Sequence, residues 1–161
     1  MTRPKSGSPR PSDAATLSRM TKQRQQDTEC EMKIRRALHA SGFRYRVHCR
    51  PEAGVSRQAD VVFRAAKVAV FIDGCFWHGC PVHWKPPRRH ASWWTKKIAM
   101  NVERDLETTE MLEAAGWVVV RVWEHEEAAH AAKRIAEAVN RRREYYLTRT
   151  VTGPDGKEMP R

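Results

Sequence analysis

The sequence predicts an α/β fold, one mixed central sheet flanked by helices, and three observations lead there. Two short apolar, β-branched runs, Ala59–Phe63 and Lys67–Ile72, are joined by a short turn and read as a hairpin. A long helical pattern then separates the second run from another buried-looking strand, Trp117–Val122. A crossover through a helix normally makes the two strands it joins parallel neighbours. The full order is α-β-β-β-α-β-α without an internal repeat, and one sheet with helices packed on it is the simplest way to bury those faces.

Each element has its own local signal. The first helix begins at Asp27 or Thr28, a small polar cap with Glu31 three residues after Thr28. Cys30, Ile34, Ala37, Leu38 and Ser41 then share one face, and Gly42 stops the helix. Phe43–Val47 alternates as a half-exposed strand should, and a loop with Pro51 and Gly54 leads into the hairpin. Residues 73–91 are irregular and crowded with Gly, Pro, Cys, His and Trp. Ser92 is the expected cap of the long helix, which Gly116 closes, and a last amphipathic helix is expected over about Glu126–Tyr146.

The 161 residues fit one domain, and 40% hydrophobic residues suffice for one core. No stretch approaches the roughly eighteen apolar residues of a membrane span, and no apolar leader opens the chain. A soluble, cytoplasmic protein is therefore expected. Thirty Lys and Arg against 19 Asp and Glu leave a net charge of +11, and the excess sits at the ends. Residues 1–24 hold six basic residues and one acid, residues 141–161 six against three, and 25–140 a near balance of 18 to 15. Such arms either keep a protein soluble or grip phosphate backbones. Residues 1–18 are expected to form a disordered basic arm and 147–161 a flexible tail around a folded 19–146.

Four places carry chemistry. Cys75, Cys80 and His83 have the spacing C-x4-C-x2-H, and His125, just after the last strand, can complete a Cys2His2 zinc site. The alternative is free core cysteines with incidental histidines; Cys30 and Cys49 read as ordinary buried thiols. Asp60 opens an otherwise apolar run, either as an exposed strand-end carboxylate or as a magnesium ligand held by the sheet. Asn101 and Asp105 share a helix face, a solvated one or one on which Asp105 orients His78 as a base toward water. Finally, Phe76, Trp77, Trp93 and Trp94 are interleaved with Lys85, Arg88, Arg89, Lys96 and Lys97, a pattern that suits stacking on nucleic-acid bases better than core packing alone.

Asp-Gly-Cys-Phe-Trp-His at 73–78, Asn-Val-Glu-Arg-Asp at 101–105 and Gly-Trp-Val-Val-Val-Arg-Val-Trp-Glu at 116–124 together resemble the very short patch repair endonucleases, the Vsr family. The likeness runs from about Arg19 to about Ala138. It implies a restriction-endonuclease-like core with a structural zinc, and an enzyme that nicks duplex DNA beside the thymine of a T:G mismatch. Carried over position by position, Asp60 matches the metal-binding aspartate of a Pro-Asp motif, with Ala59 in place of the proline. Ile72 matches a residue that lends magnesium its backbone carbonyl, His78 the histidine that activates water, Asp105 its orienting acid, and Glu31 a helix glutamate near the metal. Phe76, Trp77 and Trp94 match aromatics that wedge into DNA at the mismatch. Met20 matches a residue that enters from the other groove, on a segment that becomes helical on DNA after Leu17. Asn101 goes with these DNA-binding residues. Two positions depart from the family: Asp73 stands where histidine is common, and His125 replaces the usual last cysteine ligand, a chemically sound exchange.

The expected activity is thus a Mg²⁺-dependent DNA endonuclease with structural Zn²⁺, acting as a monomer on nucleoid DNA, with other repair proteins as further partners. Two rivals stand beside it. One is a nicking or restriction-type endonuclease with broader mismatch or modified-base targets. The other is a zinc-stapled DNA-binding module without catalysis.

Overall fold

The computed structural model of the chain describes residues 26–151, so the basic arm, Met20 and residues 152–161 lie outside it. Helix α1 spans Glu29–Ala40, strands β1, β2 and β3 span Arg46–Cys49, Ala59–Phe63 and Val68–Asp73, and helix α2 spans Ala91–Ala114. Strand β4, Val118–Trp123, and helix α3, Ala128–Val151, complete the order. The four strands lie in chain order. β1 pairs with β2 and β2 with β3 antiparallel, whereas the α2 crossover makes β4 parallel to β3. The hairpin and the parallel crossover are as the sequence predicts.

Two apolar clusters explain why the sheet needs cover on both faces. On one side Ile34 and Leu38 of α1 and Ala131, Ile135 and Val139 of α3 meet Val61, Phe63, Val68, Val70 and Val122 of the strands. On the other, Leu112 of α2 and Trp117 close over Val62, Ala69 and Phe71. Alternation along β3 therefore delivers side chains to two cores, and Val68–Phe71 is buried throughout.

Several boundaries differ from expectation for identifiable reasons. The first strand begins at Arg46, not Phe43, because the preceding segment is spent on packing. Phe43 meets Phe63 edge-on at 6.1 Å, and the Tyr45 hydroxyl donates to the Arg35 carbonyl at 2.7 Å. Ser92 does not cap α2; the helix starts two residues earlier than that cap would place it, at Ala91, after His90 in a left-handed conformation with φ +57° and no side-chain cap. β4 begins after Trp117, whose indole donates to Glu52 at 3.1 Å. The last helix starts at Ala128, not Glu126, and runs past Tyr146 to Val151, so residues 147–151 of the expected tail are helical. The start of α1 holds: Thr28 is the cap, its hydroxyl accepts the Glu31 N–H at 3.3 Å, and Glu31 in return accepts the Asp27 N–H at 2.9 Å.

Candidate active site and metal centre

The parallel register of β3 and β4 ends on the pair Asp73 and Trp123, so the two strands finish side by side. Cys75 and His125 each follow two residues later, which is how residues fifty positions apart come together. The Cys75 sulfur lies 3.1 Å from His125 Nδ1 and 3.6 Å from His83 Nδ1; the Cys80 sulfur lies 3.7 and 3.8 Å from the same two atoms. All four donor atoms fall within 4.8 Å of one another. Zn–S and Zn–N bonds of about 2.3 and 2.0–2.1 Å give a tetrahedral S···N edge of about 3.5 Å, so the set fits that ion. Burial and the facing Cys80 sulfur push the Cys75 thiol up to about 12. The loop is further tied down where the Glu124 carboxylate accepts the Cys75 N–H at 2.6 Å.

Gly79 sits between His78 and Cys80 with φ +66°, and a Cβ there would come within 3.0 Å of Ile98 and 3.2 Å of Val102. Only glycine lets this loop lie so close on α2. From α2, Asn101 donates to the Trp77 carbonyl at 2.9 Å and accepts from Arg104 at 2.7 Å. Asn101, expected to contact DNA, is thus turned toward the loop it steadies. One turn on, Asp105 Oδ2 lies 2.6 Å from His78 Nδ1. An ionised carboxylate only accepts, so the proton of that bond belongs to Nδ1 and Nε2 is left as an acceptor. Burial pushes the imidazole down, but the Asp105 hydrogen bond and the charges of Asp73 and Asp105 outweigh it and hold His78 above its ordinary value.

Asp60, His78 and Asp105 line one cavity of about 470 Å³, together with Glu31, Ile72, Asp73, Trp77 and Arg121. Asp60 Oδ2 accepts the Ile72 N–H at 2.7 Å, which joins the two expected metal-holding residues directly. Burial, only partly offset by that bond and aggravated by the Glu31 carboxylate, pushes Asp60 up to about 6. Glu31 is itself buried, at 3% exposure, with its oxygens on the Asp27 N–H and the Thr28 hydroxyl. Glu31, buried, and Asp60, half-buried, carry no guanidinium or ammonium among the described residues, with the His48 imidazole 3.9 Å from Glu31, and such a pair suits a hard divalent cation.

The aromatics also assemble. Phe76 meets Trp77 at 5.2 Å and Trp94 at 5.1 Å, and Trp93 meets Trp94 at 4.9 Å, all edge to face and half-buried. What sequence reasoning missed is the partner of Asp73. That carboxylate is only 4% exposed, and Arg121 takes both its oxygens, through Nε and Nη2, at 2.7 Å each. Arg121 is the single charge in Val118–Trp123, a signal as visible as that of Asp60.

Comparisons with known proteins point to one family. A family model described as DNA mismatch endonuclease Vsr matches residues 12–84, which include α1, the hairpin and the loop as far as Trp84. The type II nicking enzyme V.NaeI of Lentzea aerocolonigenes is 42% identical over 134 residues, 82% of this chain and 81% of that protein. The type II nicking enzyme V.XorIIP of Xanthomonas oryzae pv. oryzae is 36% identical over 109 residues, 66% of this chain and 77% of its own. DNA mismatch endonuclease Vsr of Escherichia coli K12 is 33% identical over 99 residues, 61% and 62% of the two chains. An identity of 42% sustained over four fifths of both partners is common descent, and the chain belongs to the Vsr family of DNA mismatch endonucleases.

Proposed function

We propose that the chain is a magnesium-dependent endonuclease that nicks one strand of duplex DNA beside the thymine of a T:G mismatch. The observation that carries this reading is the convergence of the His78–Asp105 pair and the half-buried Asp60 on one cavity. Asp60 and the Ile72 carbonyl, with Glu31 behind them, would hold Mg²⁺. Magnesium bound there supplies Lewis-acid stabilisation of charge on the scissile phosphate and the leaving oxygen. The chain's own part begins at His78: Asp105 holds Nδ1–H, so Nε2 takes the proton of the attacking water, and Asp105 then faces the imidazolium that results. Phe76, Trp77 and Trp94 enter the stack at the mismatch, where an unstable pair lowers the cost of unstacking, and Met20 enters from the other groove. Asn101 acts with them by holding the Trp77 backbone. Zinc on Cys75, Cys80, His83 and His125 serves the structure, stapling this loop to the end of β4. Nicking one strand requires one such centre, so a monomer working on the nucleoid in the cytoplasm suffices.

A second reading has an observation in its favour. The named type II nicking enzyme shares 42% identity with the chain against 33% for the named mismatch endonuclease, which leaves a broader mismatch or modified-base target open. One assay separates them. End-labelled duplexes identical but for T:G, T:A or C:G at one pair are incubated with the protein or its Asp60→Asn variant, in Mg²⁺ or EDTA. The expected outcome is a Mg²⁺-dependent nick on the T strand of the T:G duplex alone, absent in the variant. Equal cutting of all three duplexes overturns mismatch specificity, and tight binding without a nick overturns catalysis.

A further inference from the structure

The parallel register sets Arg121 opposite Phe71, two residues before Asp73 on the same strand. The guanidinium lies 5.1 Å over the Phe71 ring and reaches along it to both oxygens of Asp73. Its Nη2 is also 3.2 Å from Asp105 Oδ1, and Nη1 is 3.4 Å from the Asp105 carbonyl. One guanidinium therefore bridges the two carboxylates that flank His78. Those carboxylates compete for the same imidazole nitrogen: Nδ1 is 2.6 Å from Asp105 Oδ2 and 3.5 Å from Asp73 Oδ1. Asp73 is the more deeply buried of the two, and without a cation on it the imidazole would be its nearest source of compensating charge.

We propose that Arg121 is a positioning residue of the nicking centre: by occupying Asp73 it leaves Asp105 as the one acceptor for His78 Nδ1, which aims Nε2 into the cavity. The inference rests on the reading of His78 as the base. It also gives Asp73 a place, as the anchor that orients the guanidinium. The bridge needs a planar fork that meets two carboxylates at once, which lysine does not offer.

The test uses the full chain and three variants: Arg121→Met, Arg121→Lys, and Arg121→Met combined with Asp73→Asn. Each is assayed for single-turnover nicking of the T:G duplex at a range of protein concentrations. The chemical shift of the His78 Nδ1 proton, which differs with the carboxylate that accepts it and the length of that bond, is read from long-range proton–nitrogen spectra of the DNA-free protein at one fixed pH. Arg121→Met and Arg121→Lys are expected to lose about 100-fold in the maximal rate, the range of one misaligned base, with half-saturation little changed. Adding Asp73→Asn to Arg121→Met removes the competing carboxylate, so most of the rate and the native Nδ1–H signature return. That double variant also strands no buried charge, which keeps the test usable if Arg121→Met fails to fold. The proposal is overturned if the double variant recovers nothing, if the loss lies in half-saturation instead, or if a folded Arg121→Met nicks like the native chain. Should the native chain nick no duplex, the proposed activity fails, and an unaltered His78 signature in Arg121→Met would then overturn the positioning role separately.

Discussion

Asp60 carries a charge that its surroundings resist. Burial raises its carboxyl to about 6, and the Ile72 N–H is the one hydrogen bond on it among the described residues. Because the folded value exceeds the unfolded 3.8, the native state holds its proton longer, so stability falls as pH rises from about 4 through about 6. Above that window the ionised group costs the fold up to about 3 kcal/mol. Asp60→Asn keeps the shape and removes the cost, so it should abolish nicking and yet raise Tm at pH 7.5 in the absence of Mg²⁺. Adding Mg²⁺ should raise the native Tm and leave that of the variant unmoved. Thermal melts of both proteins with and without Mg²⁺ check this, and identical curves would remove Asp60 as the metal-holding group. At this scale the sequence was informative unevenly. Asp60 is conspicuous as an acid opening an apolar run. Arg121 is equally conspicuous, but its meaning depends on which carboxylates a parallel neighbour and a crossover helix bring against it, and no spacing along the chain encodes that.

Among the elements, the irregular stretch from Gly74 to His90 is the one that makes the site, and it has little regular structure of its own to hold it. Its shape is set by the Cys75 and Cys80 sulfurs, by the Asn101 bond to Trp77, and by the close seat of Gly79 on Ile98. The hairpin, the crossover and the first helix cap were legible because each has a local signature: alternation, a helical period, a Thr–Glu cap. Boundaries slipped where tertiary packing overrode them, as when Phe43 and Tyr45 gave up strand pairing for contacts with Phe63 and Arg35. The fourth donor at His125 was legible only by way of topology, from a strand that had to end beside the loop. If zinc is the staple, a strong chelator should release one equivalent of metal, lower Tm and stop nicking, while circular dichroism keeps the signal of the sheet and helices. Cys80→Ala should do the same without chelator. A chain that purifies without zinc and nicks undiminished in chelator would remove the staple.

For the molecule as a whole, the question is how a site lined by Glu31, Asp60, Asp73, Asp105 and Glu124 attracts a polyanion. Within the cavity Arg57 and Arg121 line the same wall, and Arg121 is spent on Asp73 and Asp105. The net charge of +11 must therefore act from elsewhere, and the near balance of 18 to 15 over residues 25–140 assigns most of it to the two ends. A basic arm of this kind binds phosphates without reading sequence and releases counterions, at about 0.9 of a log unit in salt dependence for each phosphate neutralised. Removing residues 1–18 deletes Arg3, Lys5 and Arg10 along with Asp13. The truncated chain should keep its Tm. Its log Kd for a T:G duplex, plotted against log salt without Mg²⁺, should lose up to about 3 from the slope. If the aromatic cluster makes the distinction as proposed, the preference for T:G over T:A should survive, because Phe76, Trp77 and Trp94 are all retained. Arg121→Met offers the contrasting control, because a residue that only orders the cavity leaves the salt slope where it was. An unchanged slope in the truncated chain would take the arm out of DNA binding and move the burden to the arginines of α3.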